Sequence, residues 1–300
     1  VRSAAVWLSV VAESFTNQIG ARSGPFVRSR NHSATEPFPT GSRKCAILCL
    51  MWGATIIPQH KSPIPALTTL QMFDVDRLMI ETYRIELIQM MENAGRNLAH
   101  LARRRFLDGD PRGKRVTVLA GSGGNGGGAL VCARWLHNYG AEVAVFVSRS
   151  AAGLSPVTAH QLDIVQRMGG LVYEAGDIED AAAPVMTVDG IIGYGLRGNP
   201  HGATARLIEW ANSQAAPILA LDVPSGLDTT TGAVSDPAIR AAATMTLALP
   251  KVGLLTAEAR PYVGELYLAD IGVPPALYAE PALGLSVGPL FAVGDIIRLR

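Results

Sequence analysis

Short apolar runs alternate with helical segments along most of this chain, and that alternation restricts the folds open to it. The runs fall at 116–121, 141–148, 171–175, 187–193, 217–222, 244–249 and 265–270. They are apolar nearly throughout rather than at every second position, which marks strands buried on both faces. Helical spacing falls between them, near 129–139, 156–168 and 203–214. In the first of these, Leu130, Ala133, Leu136 and Tyr139 share one face. A longer helix is expected over 82–106, where Leu87, Met90, Met91, Ala94, Leu98, Leu101 and Ala102 recur at helical spacing. Strands separated by helices build an α/β fold, with a mostly parallel sheet covered on both faces. Residues 273–300 carry only a loose pattern and are assigned no element.

The chain has 300 residues and is 48% hydrophobic, enough to bury a sizeable core. The net charge of +1 gives no overall field for nucleic acid or an acidic membrane. The charge is unevenly spread. Residues 1–64 carry seven Lys or Arg against two acids, whereas the remainder carries 19 against 23. The head is rich in Ser, Arg and Pro and lacks periodicity. A start site placed too early, with Met51 as the true start, is the preferred account. A targeting segment and a functional arm are the alternatives. The apolar stretch 45–57 is too short to span a bilayer. The expected division is a poorly ordered extension over 1–64, a body over 65–276 and a tail over 277–300. Three cysteines, Cys45, Cys49 and Cys132, argue against a disulfide framework and suit a reducing, cytoplasmic compartment. No second ligand pair accompanies Cys45 and Cys49, so a zinc site is not expected there.

In parallel α/β sheets, ligands bind beyond the carboxyl ends of the strands. Four such ends carry loop-forming residues: "GSGGNGGGAL" (121–130), "GYGLRGNP" (193–200), "DVPSGLD" (222–228) and "PKVGLL" (250–255). The first places a glycine run between a strand and a helix N-terminus, where free N–H groups and the helix dipole suit a phosphate. A tight turn with close helix packing explains an isolated glycine pattern equally well. Gly121, Gly123 and Gly126 satisfy the dinucleotide fingerprint. The next strand, however, ends in Arg149 rather than the acid that holds an adenosine ribose. Arg149 suits a 2′-phosphate, so an NADP enzyme stays open.

Six stretches occur in one order: "QMMENAGRNLA" (89–99), the segment 118–146, "VDGIIGYGLRG" (188–198), "LDVPSGLDTTTG" (221–232), "LPKVGL" (249–254) and "GELYLADIGVP" (264–274). Together they resemble the NAD(P)H-hydrate epimerase family, also called the YjeF N-terminal domain, over roughly residues 66–275. The resemblance implies a Rossmann-like three-layer sandwich, a homodimer and a bound potassium ion. It implies interconversion of the R and S epimers, at ring carbon 6, of the hydrated cofactors NADHX and NADPHX. A separate S-specific dehydratase would then complete the repair. Neither nucleic acid nor membrane is implied as a partner.

Carried over residue by residue, Gly124, Asn125, Gly126, Gly127 and Gly128 form the phosphate loop. Gly193, Tyr194, Gly195, Leu196, Arg197, Gly198 and Asn199 form a second substrate loop. Asp222 binds the nicotinamide end and is the expected acid–base catalyst. Asn125, Asp189 and Ser225 are the potassium ligands. Oxygen donors suit a hard cation, and a positioned carboxylate suits proton transfer at carbon 6. The competing account of Asp222, Asp189 and Ser225 is local turn capping. For Arg197 it is a solvated surface charge. Structural roles are the expectation for Lys251, Glu92 and Asn93.

The family loop reads GxGNNGGDG, and this chain departs from it at three positions. The first Asn is Gly124, the Asp is Gly128 and the last Gly is Ala129. Either the missing carboxylate only organised the loop and epimerase activity is retained, or the chain is a non-catalytic nucleotide- or partner-binding module on the same fold.

Overall fold

The computed structural model describes residues 57–300. The expectations for the first 56 residues, with Cys45 and Cys49, lie outside the described residues. The chain forms α1 (Thr69–Glu81), α2 (Leu87–Arg105), β1 (Arg115–Ala120), α3 (Gly124–Asn138) and β2 (Glu142–Val147). Then follow α4 (Pro156–Arg167), β3 (Leu171–Glu174), β4 (Met186–Gly190), α5 (Ala203–Ser213), β5 (Ile218–Leu221) and β6 (Ala243–Leu247). Short helices α6 (Arg260–Val263) and α7 (Pro275–Tyr278) flank β7 (Glu265–Ala269), and β8 (Ile296–Arg298) closes the sequence.

One eight-stranded sheet runs β3-β2-β1-β4-β5-β6-β7-β8. Seven strands are parallel, and β8 alone lies antiparallel, on β7. This is the expected Rossmann-like three-layer sandwich. Alternation along the strands feeds both layers: Val116, Val118 and Ala120 join the cluster under α2, α3 and α4, whereas Leu119 joins Phe146, Ile208 and Trp210 under α5. Strand order reverses between β1 and β4, so a crevice opens beyond their carboxyl ends.

Four sequence expectations are corrected. The helix read over 82–106 begins at Leu87, because Arg84 sits at φ +57 and ends any continuous helix. The segment before it forms α1, capped by Thr68, whose hydroxyl accepts from Gln71 N while Gln71 Oε1 accepts from Thr68 N. Tail residues 277–300 supply β8 and bury Tyr278, Leu283, Ile296 and Ile297. Residues 57–60, expected in the extension, pack on that strand: Gln59 bridges Arg298, and Arg298 N donates to Pro58 O at 2.8 Å.

The glycine run is half loop and half helix. α3 starts at Gly124 rather than near 129. Its first turn presses on the end of β1: a Cβ on Gly126 would stand 1.9 Å from Gly121 O, and one on Gly121 would stand 1.8 Å from Ile191 O. Both clashes are with backbone, which cannot step aside. A Cβ on Gly124 meets only Met91 Cε, at 3.6 Å. Gly126→Ala is therefore expected to lower the unfolding free energy by more than about 3 kcal/mol, and Gly124→Ala to change it by less than about 0.5 kcal/mol. Urea midpoints at constant slope check both.

Candidate functional site

A cleft of about 450 Å³ lies at the reversal point of the sheet. Its lining comes from α1 (Met72, Phe73, Asp76), α2 (Met90, Met91), the start of α3, the 191–195 segment and the ends of β5 and β6. The α3 start has no side-chain cap, and the N–H groups of its first turn lack intrahelical acceptors. Such N–H groups, with the positive end of the helix dipole behind them, suit an anion.

Of the residues expected in the site, Gly124, Asn125, Gly128, Gly193, Tyr194, Gly195 and Asp222 line this cleft. Gly126 and Gly127 do not: they lie inside α3, where Gly127 packs on Met91. Leu196, Arg197 and Asn199 line an adjoining cleft of about 360 Å³ with Arg149 and His201. The two clefts share Ile192 and Gly195. Gly198 lines neither and turns the loop at φ +66. Glu92 and Asn93 hold the fold together. Glu92 accepts from Arg134 and from Trp135 Nε1, and Asn93 donates to Ile271 O.

Asp222 follows β5 in the left-handed region, at φ +65, a conformation an Asp side chain tolerates better than most. Its N–H extends the sheet by one bond, to Met245 O at 2.8 Å. The carboxylate is almost fully buried. Oδ1 accepts from Lys251 Nζ, from Leu247 N at 3.1 Å and from Thr246 Oγ1 at 3.2 Å. Among the described residues, nothing donates to Oδ2. Lys251 is wholly buried and also donates to Leu247 O at 2.8 Å. Its structural role is thus carried out on the expected catalytic carboxylate itself.

Asp189 and Ser225 lie behind the cleft, both wholly buried. Asp189 Oδ1 accepts from Ser225 Oγ at 2.6 Å and Ile191 N at 3.1 Å, and Oδ2 accepts from Ser225 N at 2.8 Å. Ser225 Oγ in turn accepts from Ile192 N at 2.8 Å. Burial pushes the Asp189 carboxyl up to about 6, against the pull of these donors. Among the described residues, no cationic side chain pairs with it. Asn125 donates to Leu221 O at 2.9 Å, and among the described residues its amide oxygen accepts nothing. Asp189 is thus a buried carboxylate without a cationic partner among the described residues, and the oxygen donors of Asp189, Ser225 and Asn125 are of the class that suits a hard monovalent cation. Two carboxylates reach the cleft itself, Asp222 and Asp76. The second belongs to α1, and its hydroxyl partner is Tyr194.

A model of the YjeF-related protein N-terminus matches residues 87–253. The chain belongs to the YjeF N-terminal family. Among its relatives is an NAD(P)H-hydrate epimerase of Dehalogenimonas lykanthroporepellens, 42% identical over 79% of this chain and 93% of the relative. A bifunctional NAD(P)H-hydrate repair enzyme of Salinibacter ruber is 39% identical over 70% of this chain, and here the match spans only 41% of the relative. The crystal structure of the yeast protein ynu0 superposes with a TM-score of 0.67 at 24% identity, over 79% of this chain and all of that one, and so shares the fold.

The family position of the loop aspartate is Gly128, inside α3 and against the cleft. A Cβ there would approach Leu221 Cδ2 to 2.8 Å. Leu221 therefore fills the space in which a side chain at 128 would begin. The charge in this YjeF N-terminal cleft rests on Asp222, Lys251 and Asp76. Lys251→Met leaves a buried carboxylate without its ammonium and is expected to cost about 3–5 kcal/mol. Adding Asp222→Asn should restore much of that loss, as a double-mutant cycle by urea denaturation would measure.

Proposed function

We propose that the chain is an NAD(P)H-hydrate epimerase, an isomerase that interconverts the R and S epimers of hydrated NADH and NADPH at ring carbon 6. The observation that carries this reading is the pairing of two features in one cleft. An uncapped glycine-rich helix start offers donors to a dinucleotide phosphate. A buried carboxylate, Asp222, offers its unbonded Oδ2 to the far end of the ligand. Homology to proteins with this activity supports the same reading.

Inversion at carbon 6 requires the C–O bond or the ring to open and close again, and both routes move protons. Asp222 is the group proposed to move them. Lys251 orients it and supplies its countercharge, while the apolar walls from Met72, Met90 and Met91 exclude water from the hydrated ring. The loop 193–199 holds the remainder of the dinucleotide and leads toward Arg197 and Arg149 in the adjoining cleft. Asn125, Asp189 and Ser225 would hold potassium. The ion would neutralise Asp189 and stiffen the ends of β4 and β5 against which the substrate lies. A homodimer in the cytoplasm, working beside a separate S-specific dehydratase, completes the proposal. None of the helices among the described residues is long and apolar enough to cross a membrane.

The deciding assay supplies the R epimer of NADHX, an excess of S-specific dehydratase and this protein, and follows the return of NADH absorbance. The expected outcome is acceleration above the spontaneous rate, weakened when sodium replaces potassium. Asp222→Asn should slow it by about 10²–10⁴-fold, read on protein shown by circular dichroism to be folded, since the change leaves the buried Lys251 ammonium without its carboxylate. Folded protein without acceleration would point instead to a binding module, with Gly128 as the reason.

A further inference from the structure

Asp222 and Lys251 leave a second carboxylate of the cleft unused. Asp76 lies on the second turn of α1, and its Oδ2 accepts from the Tyr194 hydroxyl. Phe73, one turn earlier, packs edge-on against the same tyrosine ring, with centroids 5.1 Å apart and planes at 82°. Asp76 and Tyr194 are thus fixed relative to one another and both line the cleft. α1 is itself tied to the other carboxylate. Leu67, just before its cap, bridges Lys251, and Thr69 Oγ1 bonds Thr229 Oγ1 at 2.6 Å in the segment after Asp222. Burial pushes the Asp76 carboxyl above its usual range. Tyr194 and Lys251 pull it back, and Asp222 adds to the rise. Two carboxyl groups with different surroundings in one cleft are the usual arrangement for one acid and one base.

We propose that Asp76 is a second catalytic residue, the proton donor that works with Asp222 on the hydrated nicotinamide ring. This rests on the epimerase reading above. In the opening step the carbon 6 hydroxyl proton passes to the Asp222 carboxylate and the C–O bond becomes a carbonyl. The carbon–nitrogen bond breaks with its electron pair on the ring nitrogen, which takes the proton of Asp76. Rotation about the adjacent carbon–carbon bond presents the other face of the aldehyde. Nitrogen adds back, its proton returns to Asp76, and the Asp222 proton returns to the new hydroxyl. Both carboxyl groups end as they began, and no oxidant or reductant is needed.

The test uses the full chain in the coupled assay. Asp76→Asn is expected to lower kcat by about 10²–10⁴-fold and to leave KM for the R epimer within about threefold. Tyr194→Phe removes a donor that lowers Asp76, so the alkaline limb of the kcat–pH profile should move to higher pH. An inactive wild type would overturn the epimerase reading and this inference with it. An active wild type matched by Asp76→Asn would overturn this inference alone. Should Asp76→Asn fail to fold by circular dichroism, an unshifted alkaline limb in Tyr194→Phe would overturn it.

Discussion

The site depends on one buried carboxylate that never faces the cleft. Asp189 gathers the N–H of Ile191 and both the N–H and the hydroxyl of Ser225, and so ties the end of β4 to the turn after β5. Everything in the cleft hangs from those two points. The 191–195 segment carries Tyr194 to Asp76, and the turn at 222–226 carries Asp222 to Lys251. A carboxylate buried without a cation is an expensive tie. It is held by three donors, and burial still outweighs them in setting its protonation. Both oxygens accept, so a neutral amide here would set its NH2 group against a donor of Ser225 or Ile191, and the tie is built for a carboxylate.

The sheet was legible because parallel strands buried on both faces announce themselves as continuous apolar runs, and the largely exposed border strand β3 also lies within its run. The helix ends were less legible. A glycine run looks like a loop, and nothing in its composition tells that Gly124 to Gly128 already follow helical geometry. That depends on the tertiary fit of Gly126 against Gly121. α1 left a clear local mark, Thr68 with Gln71 three residues on and Met72, Val75, Leu78 and Met79 behind them. Its signal was overrun by the stronger periodicity of α2. Asp76 was missed with it. β8 is three residues long and needs β7 as its template, so no local pattern betrays it.

Lys251 shows a different limit. A lysine after a proline at a strand end reads as a residue that could approach the site, with a structural role as the expectation. Only the fold reveals that β6 ends beside β5, so that the ammonium is buried on Asp222. The pair resolves the expectation in both directions, since Lys251 supports structure and supports it at the reacting end of the cleft. The absent aspartate at 128 belongs to the same geometry. Leu221 ends β5 and leans into the space that α3 leaves vacant, and Asp222 is the next residue, so the apolar filling and the surviving carboxylate are neighbours at one strand end.

The two borders of the sheet face different hazards. At one border, among the described residues, β8 pairs with the second half of β7 and Gln59 bridges Arg298 on the outer side of β8. At the other border β3 is four residues long, with Leu171 and Tyr173 substantially exposed. Short length and Glu174 at its end limit strand-to-strand recruitment there. Any self-association that begins by sheet extension would therefore start from β3, on the side of the molecule away from β8, and would leave the reversal-point cleft open.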